Sequence, residues 1–286
     1  MGDELEISRL EEWDLPEALR LSTQAGWNQT MEDWARVHFA GEGSCFVGRA
    51  NGEVVASGTL ASYENECGWI GMMLVDARYR GRGFGRAMLG RLVGRVDELG
   101  LRWVGLDATE MGRPLYAKGG FRAVGGVDRW KISRAHATLP ITGLRSFDSM
   151  ADEEAVRRLD LAASGMDRGK LLSYLQREER GEFVVCEREA IVGFGASRPG
   201  RMGAYIGPVL ADSAEIAAGI VSGLLERLAP SRETPVFMDV PRGSAITPWL
   251  IEQGFEVSRK LTRMVRGESR MGDGGKLFGI MSFALG

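Results

Sequence analysis

The most constraining feature of the chain is residues 69–99, which read as a buried strand, a glycine turn and a helix in direct succession. Residues 69–75 form an apolar run of the length that a covered strand has. Residues 80–85 then read RGRGFG and deliver three glycines where a helix must begin. After the turn, apolar side chains recur at spacings of three and four on one helical face, namely Phe84, Met88, Leu89, Leu92, Val96 and Leu99. The pattern predicts a strand that feeds a helix packed back on a sheet, with Gly100 closing the helix.

A glycine turn that opens a helix is a favourable site for an anion. The first helical N–H groups have no partner inside the helix, and the helix dipole places roughly half a positive charge there. Glycines at 81, 83 and 85 allow the main chain to approach phosphate oxygens closely. Arg80, Arg82 and Arg86 add guanidinium groups, whose geometry suits phosphate. The turn therefore predicts a pyrophosphate site.

The turn does not match the common nucleotide motifs. A G-x-G-x-x-G motif that starts at Gly81 meets Arg86 at its third glycine, and one that starts at Gly83 meets Met88. Arg80-x-x-Gly83-x-Gly85 instead resembles the R/Q-x-x-G-x-G/A turn of the GNAT superfamily of N-acetyltransferases, where acetyl-CoA binds its pyrophosphate. The alternative is a surface turn or a nucleic-acid-binding tail. The resemblance implies a cofactor site made of Leu74, Val75, Arg80, Gly81, Arg82, Gly83, Phe84, Gly85, Arg86 and Thr109.

A second motif at the expected distance supports the same resemblance. Residues 109–121 follow the pattern T-x-x-G-x-x-L-Y-x-x-x-G-F, which is similar to the N-x-x-A-x-x-L-Y-x-x-x-G-F helix of GNAT proteins. The resemblance implies that Tyr116 protonates the departing thiolate, and that a main-chain N–H near Leu74 polarises the thioester carbonyl. Thr109 and Gly112 depart from the family's asparagine and alanine. The alternative for Tyr116 is a packed ring whose hydroxyl caps a neighbouring group.

The acceptor amine needs a binding region and a base. In the GNAT plan the region between the first strand and the hairpin covers the acceptor pocket, so Trp27 and Trp34 are candidate walls, with Asn28 and Asp33 as polar contacts. Thr30 is expected to cap the helix that follows. The alternative is that both tryptophans close the core.

An alkylamine has a pKa of about 10.4 and must lose a proton before it can attack. The candidate bases are Glu66, Asp107 and Asp239, with Asp107 ranked first because it is closest in sequence to the tyrosine helix. Asp107 and Asp239 each end a predicted strand. The resemblance to the GNAT topology implies that side chains at these strand ends face the cleft, and Asp239 is also a candidate substrate contact. Each aspartate could equally cap the turn after its strand.

The order of elements predicts an α/β (α+β) fold with two GNAT-like domains, each a mixed, mostly antiparallel sheet flanked by helices. Residues 1–134 form the acetyl-CoA domain and include a hairpin at Asn51-Gly52. Residues 135–286 repeat that outline. Asp239 corresponds to Asp107, and residues 249–255 have the spacing of residues 115–121. The second half has Leu250 at the tyrosine position and lacks the arginine-glycine turn, so one cofactor is expected, in the first domain only.

Composition excludes several other classes of function. The chain has 286 residues, of which 44 % are apolar, as is typical of a globular protein. Its formal net charge of −3 argues against a nucleic-acid partner. No apolar run is long enough to span a membrane. Three scattered cysteines fit a reducing cytoplasm, and two histidines leave no basis for a metal site.

The sequence therefore predicts a cytoplasmic GNAT-type N-acetyltransferase that transfers acetyl from acetyl-CoA to a primary amine of a small molecule or peptide, as a monomer or homodimer. The second domain is a candidate contributor to the substrate pocket. The alternative is a non-catalytic acyl-CoA-binding sensor.

Overall fold

The computed structural model describes residues 4–64, 66–133, 141–177, 181–228 and 235–286. The chain forms two compact units that are each discontinuous in sequence. The first unit comprises Met1–Val124, Thr262–Ser269 and Phe283–Gly286, and the second comprises Gly125–Leu261 and Arg270–Ser282. The predicted domain boundary between residues 134 and 135 falls outside the described residues.

The fold class is confirmed, because helices alternate with the strands of a mostly antiparallel arrangement in both halves of the chain. The elements of the first half are β1 Glu6–Arg9, α1 Leu15–Gln24, α2 Met31–Gly41, β2 Phe46–Ala50, β3 Glu53–Tyr63, β4 Cys67–Val75, α3 Phe84–Glu98, β5 Trp103–Ala108, α4 Arg113–Lys118 and β6 Arg122–Ile132. Those of the second half are β7 Leu144–Ser146, α5 Ser149–Ser164, α6 Gly169–Leu175, β8 Glu182–Glu187, β9 Ile191–Arg198, β10 Ala204–Ala211, α7 Ala214–Leu228, β11 Val236–Pro241, α8 Thr247–Glu252, β12 Glu256–Gly267 and β13 Leu277–Gly279.

The first unit contains a sheet in the order β1-β2-β3-β4-β5, continued by residues 262–267 of β12. The pair β4–β5 is parallel and the other pairs are antiparallel. Asn51 and Gly52 take positive φ angles of 53° and 80°, as the predicted β2–β3 hairpin requires. Helix α3 covers one face of this sheet, where Met88 and Leu92 pack with Ile70 and Val104 in one hydrophobic core.

The second unit contains a sheet in the order β7-β8-β9-β10-β11, continued by residues 127–132 of β6. The pair β10–β11 is parallel, as β4–β5 is in the first unit. Helix α7 buries its apolar side in the core of this unit. The two halves of the sequence therefore exchange a strand: residues 125–132 complete the second unit, and residues 262–267 complete the first.

Within the described part of the chain, no helix is both long and apolar enough to cross a bilayer. The three cysteines, Cys45, Cys67 and Cys186, are buried and unbridged.

Candidate active site

Strand β4 is interrupted by a β-bulge. Its register against β3 shifts between the pairs Thr59–Gly71 and Ser57–Leu74, so Met72 and Met73 have no opposite partners in this ladder. Met72 has a φ of 47°, a strained angle for a non-glycine residue. The Ser57 hydroxyl donates a 2.8 Å hydrogen bond to the Met72 carbonyl and supports this conformation. A bulge frees main-chain groups of the strand to meet another molecule.

A wedge opens between β4 and β5 beside the bulge. The two strands pair at Cys67–Trp103, Gly68–Val104 and Trp69–Gly105, and their ladder ends there. Beyond these pairs, β4 continues to Val75 and β5 to Ala108 without further pairing to each other within the described chain. The wedge is therefore closed at Trp69 and open towards the end of β4 that leads to α3.

The arginine-glycine turn lies at the open end of the wedge. Gly83 is the N-cap of α3 with a φ of 85°, and the space where its side chain would stand is empty to 4 Å. Arg80 is exposed and its Nε donates a 3.1 Å hydrogen bond to the Val75 carbonyl, which holds the turn against the end of β4. Arg82 lies with its guanidinium 5.0 Å from the Tyr79 ring centre, and Arg86 is exposed on the first turn of α3. Main-chain N–H groups and cationic side chains therefore meet at one surface.

Asp76 fixes the start of this turn. Its carboxylate accepts hydrogen bonds from the Arg78 main-chain N–H at 3.0 Å and from the Arg78 guanidinium at 2.9 Å. Arg20 lies 3.5 Å from the same carboxylate. The hydrogen bonds from Arg78 lower the pKa of Asp76 to about 2, so the carboxylate is charged at neutral pH.

Helix α4 brings the predicted tyrosine to the same core. Tyr116 packs against the cluster that holds Ile70 of β4 with Leu106 and Ala108 of β5, and its ring meets Phe121 edge-on. Burial raises the pKa of Tyr116 to about 12, so the phenol keeps its proton at neutral pH. A side chain at position 112 would come 3.0 Å from the Tyr116 ring, which gives a reason for glycine where the family has alanine.

Thr109 has a local role at the start of this segment, where its hydroxyl accepts a 3.2 Å hydrogen bond from the Gly112 N–H. The turn before α4 is therefore held by a side-chain cap.

Asp107 lies on the face of the sheet away from α3 and is paired. Its two carboxylate oxygens accept hydrogen bonds from Arg263 at 2.9 and 2.8 Å, and the side chains of Asp107 and Arg263 are 0 % and 7 % exposed. The Arg263 guanidinium stands 4.5 Å from the Trp69 ring centre. This buried cluster of Asp107, Arg263 and Trp69 borders the closed end of the wedge, and both oxygens of the predicted base are already engaged.

The other two predicted bases lie elsewhere. Glu66 precedes β4, six residues before the bulge at Met72, which corresponds to about 20 Å along an extended strand. Its side chain is 68 % exposed and faces Arg102 at 3.5 Å. Asp239 belongs to the second unit and accepts two 2.7 Å hydrogen bonds from Arg129. Each of the three candidate bases therefore has an arginine partner of its own.

The predicted acceptor-binding residues have mainly structural partners. Trp34 is completely buried, and its indole N–H donates to the Ser22 hydroxyl at 3.1 Å. Asp33 forms the predicted cap with Thr30 at the start of α2 and also pairs with Arg36. Asn28 is buried, whereas Trp27 is half-buried. In this conformation Trp34 is part of the core, which was the alternative interpretation of the sequence.

The equivalent wedge of the second unit is filled by the chain itself. Strands β10 and β11 pair from Ala204–Val236 to Ile206–Met238. Further along β10, at Val209 and Leu210, β13 takes the place of β11 as its partner, while β9 pairs along the opposite edge. The Ile280 N–H then donates a 2.9 Å hydrogen bond to the Asp239 carbonyl. Residues 277–280 thus bridge the two diverging strands.

Sequence reasoning missed several residues of the site. The bulge lies at Met72 and Met73, directly before the predicted Leu74 and Val75, and its supporting residue is Ser57. Gly71 inside an apolar strand was the available signal, because an isolated glycine in a strand indicates a bulge or a close approach. Arg263 carried no local signal, since it meets Asp107 only through the exchanged strand.

Comparisons with known proteins agree in both halves of the chain. The acetyltransferase (GNAT) family model matches residues 7–121, and an acetyltransferase (GNAT) domain model matches residues 156–279. The Bacillus subtilis protein named "Uncharacterized N-acetyltransferase YitH" is 28 % identical over 289 residues, which cover 98 % of each chain. "Holothin acyltransferase" from Pseudoalteromonas sp. is 26 % identical over 285 residues, which cover 97 % of this chain and 92 % of the relative.

A solved structure of a candidate acetyltransferase from Pyrococcus horikoshii has a TM-score of 0.84 at 22 % identity, covering 99 % of this chain and 96 % of that one. At this identity the likeness concerns the fold alone. The two family matches, the bulged and splayed strands of the first unit and the repeated outline of the second agree with one another. The chain therefore belongs to the GNAT superfamily of acetyltransferases and contains two GNAT domains.

Proposed function

We propose that the protein is an acetyl-CoA-dependent N-acetyltransferase that transfers the acetyl group directly to a primary amine of a small molecule. The first unit holds the donor and performs the reaction, and the second unit binds no acyl-CoA. The observation that carries this proposal is the contrast between the two wedges. The wedge between β4 and β5 opens next to the glycine turn. The wedge between β10 and β11 is bridged by residues 277–280.

The residues of the first unit fit a CoA pyrophosphate. The turn offers a φ-positive glycine at 83 with empty space beside it, the free N–H groups of the first turn of α3, and the exposed guanidinium groups of Arg80 and Arg86. Main-chain groups of β4 at the bulge of Met72 and Met73 are proposed to bind the arm that follows the pyrophosphate. When bound, acetyl-CoA supplies an activated acetyl group as a thioester.

Tyr116 is proposed as the acid for the departing thiolate. Its ring packs in the core beside β5, and its raised pKa, about 12, keeps the phenol protonated under all physiological conditions. A protonated hydroxyl can donate a hydrogen bond to the sulfur as negative charge develops there. A main-chain N–H of β4 near Leu74, which directly follows the bulge, is proposed to stabilise the charge on the carbonyl oxygen.

Asp107 is proposed as a positioning residue. Its ion pair with Arg263 holds the guanidinium over the Trp69 ring. The amine then loses its proton to water, so the rate should rise with pH as the fraction of free amine rises. Holothin is a useful acceptor to test because the Pseudoalteromonas relative carries its name.

The test is release of free thiol from acetyl-CoA in the presence of amine acceptors. The panel contains amino acids, polyamines, aminoglycosides, peptides and holothin, and each product is identified by mass. Turnover that falls at least a hundredfold in Tyr116→Phe, with unchanged CoA affinity, is the expected result. CoA binding without turnover on any acceptor would instead support the sensor function, and absence of CoA binding would reject both.

A further inference from the structure

The segment Phe283–Gly286, here called the 283–286 segment, lies on β4 at the closed end of the wedge. Gly71 immediately precedes the bulge, and a side chain built on it would come 2.5 Å from the Ala284 Cα and 2.7 Å from the Ala284 Cβ. Ala284 and Leu285 are 5 % and 1 % exposed. The main chain of the segment therefore rests directly on β4, and only a glycine at position 71 permits this approach.

Two aromatic side chains hold the segment by its main chain. The Trp69 indole N–H donates a 3.1 Å hydrogen bond to the Phe283 carbonyl, and the Tyr63 hydroxyl donates a 2.8 Å hydrogen bond to the Leu285 carbonyl. Trp69 is itself fixed between Gly105 and the Arg263 guanidinium. The donors belong to the two strands β3 and β4, so the segment is held at one place relative to the bulge.

The position of the segment matters for a ligand that enters the wedge. The wedge is open at the turn of Arg80–Gly85 and closed at the pair Trp69–Gly105, with the bulge at Met72 between them. A donor whose pyrophosphate binds at the turn must point its acyl end towards the closed end. Ala284 packs against Gly71, the residue of β4 that directly precedes the bulge.

We propose that the 283–286 segment is the end wall of the acyl pocket and limits the donor to short acyl groups. This inference rests on the proposed function, because it requires acyl-CoA in the β4–β5 wedge. Ala284 occupies the space that additional methylene groups of a longer chain would need. A buried hydrocarbon chain normally gains affinity with each added methylene, so a wall that blocks this gain is visible in binding as well as in turnover.

The experiment compares binding of CoA, acetyl-CoA, butyryl-CoA and hexanoyl-CoA by calorimetry, without an acceptor. In the wild-type protein hexanoyl-CoA is expected to bind at least tenfold more weakly than acetyl-CoA. In a variant that lacks residues 283–286 the two affinities should become equal or reverse. Tyr63→Phe, which removes only the hydroxyl that holds Leu285, should reduce the discrimination at least threefold and serves if the shortened chain does not fold.

A matched control comes from the second unit, where the Tyr205 hydroxyl donates a 3.0 Å hydrogen bond to the Ile280 carbonyl. Tyr205→Phe removes the same kind of contact and should leave acyl discrimination unchanged. Wild-type protein that binds hexanoyl-CoA as tightly as acetyl-CoA would overturn the inference, as would unchanged discrimination in a folded variant with its CoA affinity intact. Loss of CoA binding in the wild type would instead remove the proposed function.

Discussion

Replacement of Gly83 by alanine separates the role of the turn in ligand binding from its role in the fold. At a φ of 85° a Cβ costs roughly 1 to 2 kcal/mol, because left-handed backbone is unfavourable for residues other than glycine. The added methyl meets no protein atom within 4 Å, so no further steric cost is expected. The same methyl stands where the main chain must approach a pyrophosphate, and CoA affinity should fall at least tenfold, or about 1.4 kcal/mol.

Gly90 provides the matched control on the same helix. It is exposed inside α3, and a side chain there also meets nothing within 4 Å. Gly90→Ala should raise the free energy of unfolding by about 1 kcal/mol, since glycine is a poor helix former, and should leave CoA affinity unchanged. Urea unfolding measures the stability of both variants, and calorimetric titration measures their affinity for CoA. A Gly83→Ala protein that binds CoA like the wild type would refute the assignment of the turn.

Three further results are expected. Because the pKa of Tyr116 is about 12, the rate should not fall through deprotonation of this phenol until the pH exceeds about 11, and a pH–rate profile measures this. A fall in rate centred near pH 9 that disappears in Tyr116→Phe would contradict the prediction. Asp107→Asn leaves the charge of Arg263 buried without its partner, so the free energy of unfolding measured in urea should fall by about 3 to 5 kcal/mol. A fall below about 1 kcal/mol would show that the ion pair does not stabilise the fold. Asp76→Asn should cost about 2 kcal/mol at neutral pH, because a folded pKa of about 2 lies below the unfolded value of about 3.9. That stabilisation is complete above the unfolded pKa and disappears as the pH falls through about 2, so wild type and variant should converge in acid; an equal difference at pH 2 and pH 7 would exclude the charge as its source.

Local patterns in the sequence were sufficient to predict the parts of the fold that depend on neighbouring residues. The glycine turn, the helix from Phe84 and the hairpin at Asn51-Gly52 follow from backbone conformations that few residue types adopt, and they occur where the sequence indicates. The repeat of the two halves was also visible, because residues 249–255 preserve the spacing of the α4 segment. The assignment of Tyr116 as an acid stays a prediction.

Long-range pairing could not be predicted in the same way. Asp107 and Arg263 are 156 residues apart in the sequence. The residues around Arg263 do not indicate that their strand pairs with β5, because the residue pattern of a strand does not identify its partner strand. The position of the 283–286 segment depends on the same exchange of chain segments. For this reason Asp107 was predicted to be a free base, although the structure gives it an arginine partner.

The number of CoA molecules bound per chain is the most direct test of a single donor site in the first unit. Calorimetric titration of the wild-type protein with CoA should give one site per chain, and Arg80→Ala combined with Gly83→Asp should abolish it while the thermal unfolding transition is retained. One site that disappears in this variant is the result that an open first wedge and a filled second wedge predict. Two sites, or one site that survives the double substitution, would contradict the account.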